Sequence, residues 1–216
     1  MNLFHPLSKH QLSLPPHPWT ICLGPNPWNS VTHEYDRDCI IMVIYTNFKT
    51  LAFTRPGYKA WIDIKCDSRC FYDIALYKGK FCAVNNHGNV FVCHIDGDIV
   101  FTVCITFCKE PEDCIQKYLV ESSGDLFKNE YDWVNVDSLG DQALFVGDNS
   151  SMSLSASSFN GCKANCIYFT DDNDYYLNSL NGGGYDMGVF SMEDETIKQH
   201  YEGKSLSSFA PPVWYI

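Results

Sequence analysis

Eleven cysteines, seven histidines and 26 acidic residues are the side chains from which this 216-residue chain would have to build a catalytic or metal centre. Three cysteine pairs share the spacing C-x3-C: Cys66/Cys70, Cys104/Cys108 and Cys162/Cys166. On a helix or a knuckle such a pair grips zinc, but on a strand residues four apart share a face and stand about 13 Å from each other, too far for one ion. The pairs therefore read as buried or half-buried thiols. Asp171, Asp172 and Asp174 in TDDNDYY invite a calcium reading, yet the alternate acidic positions, central glycine and closing glutamate of an EF-type loop are missing. That segment reads as a solvated loop running into NGGG at 181 to 184. No H-x-x-x-H or comparable ligand pair occurs, and His87, in a turn, and His94, in a strand, read as structural.

The stretch SLGDQALFVGDNSSMSLSASSFNGCKANCIYFTDD, residues 138 to 172, poses the sharper question, because its serines could mark a phosphate loop or a nucleophile. A phosphate loop needs G-x-x-x-x-G-K-[ST], so that backbone amides and a lysine converge on the anion, and GDNSSMS has neither the second glycine nor the lysine. The GKS at 203 to 205 lacks the earlier glycine. No G-x-S-x-G sets a serine on a strained elbow for acyl transfer. No catalytic, cofactor-binding or metal residue is expected.

The elements around these residues are strands. Alternating or β-branched runs recur at 39–46, 50–55, 59–65, 71–77, 80–85, 89–95 and 99–107, bounded by turn residues such as KGK, NNHGN and DGD. Further runs are KYLVES (117–122), WVNV (133–136), QALFVG (142–147), CIYFTD (166–171), MGVFSM (187–192) and TIKQHY (196–201). No window of a dozen residues carries a 3.6-residue apolar stripe, which excludes long helices. Four tightly linked strands between Asp73 and Phe107 have the make-up of one propeller blade, and Trp61 and Trp133 each begin a W-[IV]-x-[IV] run. A sandwich remains open beside the propeller.

A hydrophobic content of 45% is ample for a folded core. The net charge of −11 repels phosphate backbones and anionic lipid, so neither nucleic acid nor membrane is expected as a partner. No run approaches a bilayer span, and the proline-broken N-terminus lacks a secretory core. A cytoplasmic or nuclear protein is expected.

Several segments resemble, in order, the kelch-like β-propeller (KIB type) of plant F-box proteins: LFHPLSKHQLSLPP (3–16), IYTNFKTLAFTRPGYKAWIDI (44–64), YDIALYKGKFCAVNNHGNVFVCHI (72–95), YLVESSGDL (118–126), SLGDQALFVGDNSSMSLSA (138–156), GCKANCIYFTDD (161–172), YDMGVFSMEDETI (185–197) and PPVW (211–214). The block from SLGD to IYFTDD is the most specific. The resemblance implies that the serine patch is a connection and strand inside a blade, followed by a turn at FNGCK. It also implies a substrate-facing propeller of a cullin ubiquitin ligase whose F-box docks on a Skp adaptor, with a regulatory kinase among the proteins such propellers hold. Here LFHPLS, with His5 where the family has asparagine, opens the chain almost directly, and only FKNEYD separates Leu126 from Trp133.

The expectation is thus an all-β chain: one kelch-like, KIB-type β-propeller domain over 1–216, partial or irregular, with about four blades' worth of antiparallel strands, truncated at the N-terminus and shortened near 127–132. Its expected role is non-catalytic binding of a protein substrate that the residues do not name, without an F-box for the Skp adaptor and with open sheet edges that favour self-association. A partial gene product without independent function, and a propeller enzyme, are the competing readings.

Overall fold

The computed structural model describes residues 2–4, 11–15, 18–23, 28–29, 34–36, 38–45, 49–97, 99–106, 117–126, 136–147, 151–170 and 187–199. The chain divides into two compact units, Met1–Leu119 and Val120–Ile216. Both are built of strands, and the helix among the described residues is one 3-10 turn, Ala156–Ser158.

In the first unit, β1 (Asn2–Phe4) and β2 (Gln11–Ser13) form one hairpin. Strand β3 (Pro18–Leu23) is followed by a second small hairpin of β4 (Trp28–Asn29) and β5 (Glu34–Tyr35). Beyond it β6 (Ile41–Tyr45), β7 (Thr50–Thr54) and β8 (Ile62–Asp63) join β3 in an antiparallel sheet ordered β3-β6-β7-β8. A second sheet follows: β9 (Phe71–Tyr77), β10 (Lys80–Asn85), β11 (Val90–Asp96) and β12 (Ile99–Cys104), each antiparallel to the next. Burial falls along that order, from β10, buried after its first residue, to β12, where exposed and half-buried positions alternate. Such a gradient marks a propeller blade, with inner strands in the core and an outer strand at the rim.

The period-2 pattern explains the packing. Met42, Ile44, Leu51 and Phe53 of the β3-β6-β7-β8 sheet meet Phe71, Ile74, Phe81, Ala83, Phe91 and Cys93 of the blade in one apolar cluster. Phe71 and Phe91 cross edge to face at 5.4 Å. Between β9 and β10, Lys78 and Gly79 both take positive φ, 48° and 75°, as a type I′ turn demands. The NNHG turn before β11 is held by buried Asn85, whose Oδ1 accepts from the Asn89 N–H at 2.9 Å and whose Nδ2 donates to Ser68 Oγ at 2.7 Å.

In the second unit, β13 (Glu121–Ser122) and β14 (Asp125–Leu126) form a hairpin over Ser123 and Gly124, again at positive φ. The larger sheet holds β15 (Gln142–Val146), β16 (Met152–Ser155), β17 (Cys166–Phe169), β18 (Gly188–Ser191) and β19 (Thr196–Gln199) in the order β16-β15-β17-β18-β19. One pairing departs from the expected antiparallel pattern: β15 and β17 are parallel. Parallel neighbours need a crossover, and the β16 strand, the 3-10 turn and the turn through Gly161 supply it.

One expected strand needs correction. KYLVES is strand only at Glu121–Ser122, because the Leu119 N–H is taken by the Asp73 carboxylate at 2.8 Å and not by a ladder. In WVNV, residues 133 to 135 lie outside the described residues, and Val136 is exposed and in no strand. Trp61 is half-buried against Leu14, Cys39 and Ile41.

Candidate partner-binding groove

Three turns of the first unit converge. The segment Asp36 to Ile40 leads into β6, the Lys78–Gly79 turn joins β9 to β10, and Asp96–Gly97 opens the turn from β11 to β12. Together they line an open groove of about 450 Å³. Among the described residues, its floor is apolar, with Cys39, Ile40, Phe81, Cys93 and Ile95, and its rim carries Asp36, Asp38 and Asp96 beside Lys80. All three aspartates are exposed.

The rim is locally stiffened. Asp36 Oδ1 accepts from the Asp38 N–H at 2.9 Å, its carbonyl accepts from the Cys39 N–H at 3.0 Å, and Arg55 Nη1 donates to the Asp38 carbonyl at 3.5 Å. Tight side chain-to-backbone turns of this kind fix the direction of a carboxylate without covering it. Burial, reinforced by Cys82 and Cys66, pushes the Cys93 thiol far up, so Cys93 stands in the groove floor as a neutral S–H. His94 stacks on Phe101 at 4.6 Å, with ring planes 5° apart. The groove therefore suits a surface with basic groups for the rim and apolar groups for the floor.

The other residues singled out by sequence fall elsewhere. Cys66 and Cys70 lie in the connection between β8 and β9, and Cys162 in a turn, so the strand geometry expected for these pairs does not describe them. Cys104 ends β12 and Cys166 begins β17; Cys108 lies outside the described residues, as do Asp171, Asp172, Asp174, NGGG and GKS. Cys39, Cys66, Cys70, Cys82, Cys93, Cys104, Cys162 and Cys166 carry thiols. Among the described residues no three His, Cys, Asp or Glu groups stand where they could hold a metal. No described helix is long and apolar enough to cross a membrane.

The serine patch is tied into the fold. Asp141 accepts from the hydroxyls of Ser155 and Ser157 and from the Ser157 N–H, and the two hydroxyls hold its carboxyl below the ordinary value of 3.8. Ser153 donates to Gln142 Oε1 at 3.0 Å and meets Ser122 Oγ at 2.7 Å. A carboxylate stabilised in its charged form is a weak base, and these hydroxyls are used as struts.

The groove itself was not foreseen. DRD, KGK and DGD are legible only as turns, and nothing in their spacing brings Asp36, Lys80 and Asp96 together.

Comparison with known proteins supplies the family. The sequence model of the KIB1-4 beta-propeller matches residues 1–128 and 127–191. The chain belongs to this family. Its fold is accordingly all-β, a kelch-like β-propeller in partial form. Among curated relatives of this propeller, Putative F-box protein At5g55150 of Arabidopsis thaliana is 26% identical over 82% of this chain and 56% of its own length. Putative F-box protein At3g25750 of the same plant is 29% identical over 72% of this chain and 49% of its own. F-box protein At2g26160, also of Arabidopsis thaliana, is 32% identical over 53% of the chain and 43% of its own. The chain thus spans about half the length of the curated relatives it matches. No solved structure matches it.

Proposed function

We propose that this chain is a non-catalytic, protein-binding propeller that performs the substrate-recognition task of an F-box protein of a cullin ubiquitin ligase, and that its partner docks at the groove between Asp36–Ile40 and the two blade turns. The carrying observation is the groove itself: an acidic rim over an apolar floor, at turn ends, in a chain of the KIB1-4 propeller family. Its relatives are named as F-box proteins, which supports the ligase connection. The rim calls for a basic protein surface, and a regulatory kinase is the partner class we favour. The two stretches matched by the family model meet at 127–128, which supports one propeller domain shortened near 127–132. Thiols at eight of the cysteines fit a cytoplasmic or nuclear site of action.

On these 216 residues alone, the Skp adaptor is not bound. The test is affinity capture from plant extract with the wild-type chain and with a folded triple variant, Asp36→Lys, Asp38→Lys and Asp96→Lys, beside purified Skp adaptor as a separate bait. A protein retained by the wild type and lost at least about tenfold by the variant supports the reading, since like charges across an interface cost several kcal/mol. Equal retention by both would refute the groove, and capture of the adaptor would refute the second statement.

A further inference from the structure

The blade ends in a strand that nothing described covers. β12 pairs with β11 on one side only, whereas β9, at the other end of the sheet, packs against β3 and β6. Along β12 the side chains split by parity: Val100 and Cys104 pack toward the core, while Ile99, Phe101, Val103 and, just beyond the strand, Ile105 are 63%, 46%, 43% and 43% exposed. The backbone splits the same way. The Ile105 N–H donates to the Val90 carbonyl at 2.9 Å, so Ile99, Phe101 and Val103 also turn their backbone groups to β11, and Val100 and Thr102 turn theirs to the open side.

Open edges are normally protected by charge, proline or brevity. β8 is two residues long and ends in Asp63, and β19 carries Lys198 next to a turn with Glu193, Asp194 and Glu195. From Ile99 to Thr106 there is no charged residue and no proline.

We infer that β12 pairs antiparallel with β12 of a second copy of this chain, across a two-fold axis at Phe101. In that register Val100 and Thr102 of one copy exchange their backbone bonds with Thr102 and Val100 of the other. Phe101 faces Phe101, and Ile99 faces Val103, in the closely spaced non-hydrogen-bonded pairs where aromatic and β-branched side chains interact best. The pattern is self-complementary, as an isologous contact requires. A charged partner would gain nothing from this uncharged strand, whereas two copies, each at −11, can approach closely only where neither presents charge.

The exposed parts of the four side chains amount to roughly 400 Å² per copy, below the roughly 600–1,000 Å² per partner of a standard stable interface. The dimer is therefore weak and forms only at high protein concentration. Salt tightens it, because it screens the repulsion between two acidic bodies.

Sedimentation velocity on the full chain, from about 1 to about 300 μM, reads this directly. A monomer–dimer equilibrium that tightens about threefold or more between 0.05 and 0.5 M NaCl is expected. Thr102→Pro removes an N–H from the open side and spares the β11 ladder, so it should leave a folded monomer. Phe101→Lys and Phe101→Glu should each be monomeric alone and associate when mixed, which keeps the test alive if the proline variant fails to fold. A wild type that stays monomeric throughout, leaving the edge to a strand of another protein, would overturn the inference. So would a dimer that survives Thr102→Pro, or Lys and Glu variants that ignore each other.

Discussion

Asp73 offers the most demanding check on the fold. It sits on β9, 2% exposed, and its two oxygens serve different donors: Oδ1 accepts from the Ile74 N–H at 2.7 Å and Oδ2 from the Leu119 N–H at 2.8 Å. Leu119 is itself 1% exposed, so its N–H has little access to water. The carboxylate therefore pins the chain after the blade back onto the inner strand, across 46 residues of sequence. Truncation in Asp73→Ala strands two buried donors, each costing about 1–3 kcal/mol, and removes hydrogen bonds to a charged acceptor. We expect a loss of about 3 kcal/mol, and a fall in Tm of roughly 6–12 °C for a chain of this size. Asp73→Asn keeps one acceptor but aims an amide donor at the other N–H, so about 1–2 kcal/mol is expected. Urea unfolding monitored by tryptophan fluorescence, with the m-value held in common, gives both numbers. A loss under about 0.5 kcal/mol for Asp73→Ala would refute the reasoning, since it would mean that the Leu119 N–H has another partner.

The remaining expectations concern the second unit and the thiols. An added methyl at Gly188 would lie 2.8 Å from Phe169 Cζ and 3.1 Å from the Lys198 carbonyl, so Gly188→Ala should cost about 1–3 kcal/mol in urea unfolding; an unchanged midpoint would show that Phe169 simply swings away. Because the Ser155 and Ser157 hydroxyls lower the Asp141 carboxyl, its contribution to stability is complete above the ordinary carboxylate range and is lost as the pH falls through its depressed folded value. Asp141→Asn should therefore be less stable than wild type at pH 7, with a deficit that shrinks as the pH falls below the ordinary carboxylate range, and a deficit that persists unchanged in acid would contradict the assignment. Exposed Cys70 should be alkylated well before buried Cys93, whose burial disfavours the thiolate, as peptide mass spectrometry would show; equal rates would mean that the core cluster opens readily.

Much of the fold was legible because its signals are local. FYDIALY, KFCAVN and NVFVCHI alternate at period 2 and are separated by KGK and NNHG, so β9, β10 and β11 fall nearly where those runs lie. The serine-rich MSLS carried no such signal: β16 is half-buried throughout, and its place depends on Ser153 reaching Gln142 and Ser122. The parallel β15–β17 pairing was hidden for a related reason, since chain direction across a crossover is set by packing and not by alternation. KYLVES misled because its apolar residues satisfy a buried carboxylate's geometry instead of a ladder. The groove lay furthest from view, because Asp36, Lys80 and Asp96 become neighbours only when one sheet stacks on the next.

Amide hydrogen exchange of the chain, with and without the purified protein it captures, tests the central claim most directly. The account predicts added protection at 36–40 and at the β9–β10 and β11–β12 turns, with the serine patch at 151–158 unchanged. Protection centred on the serine patch, or none in the groove at saturating partner, would contradict it.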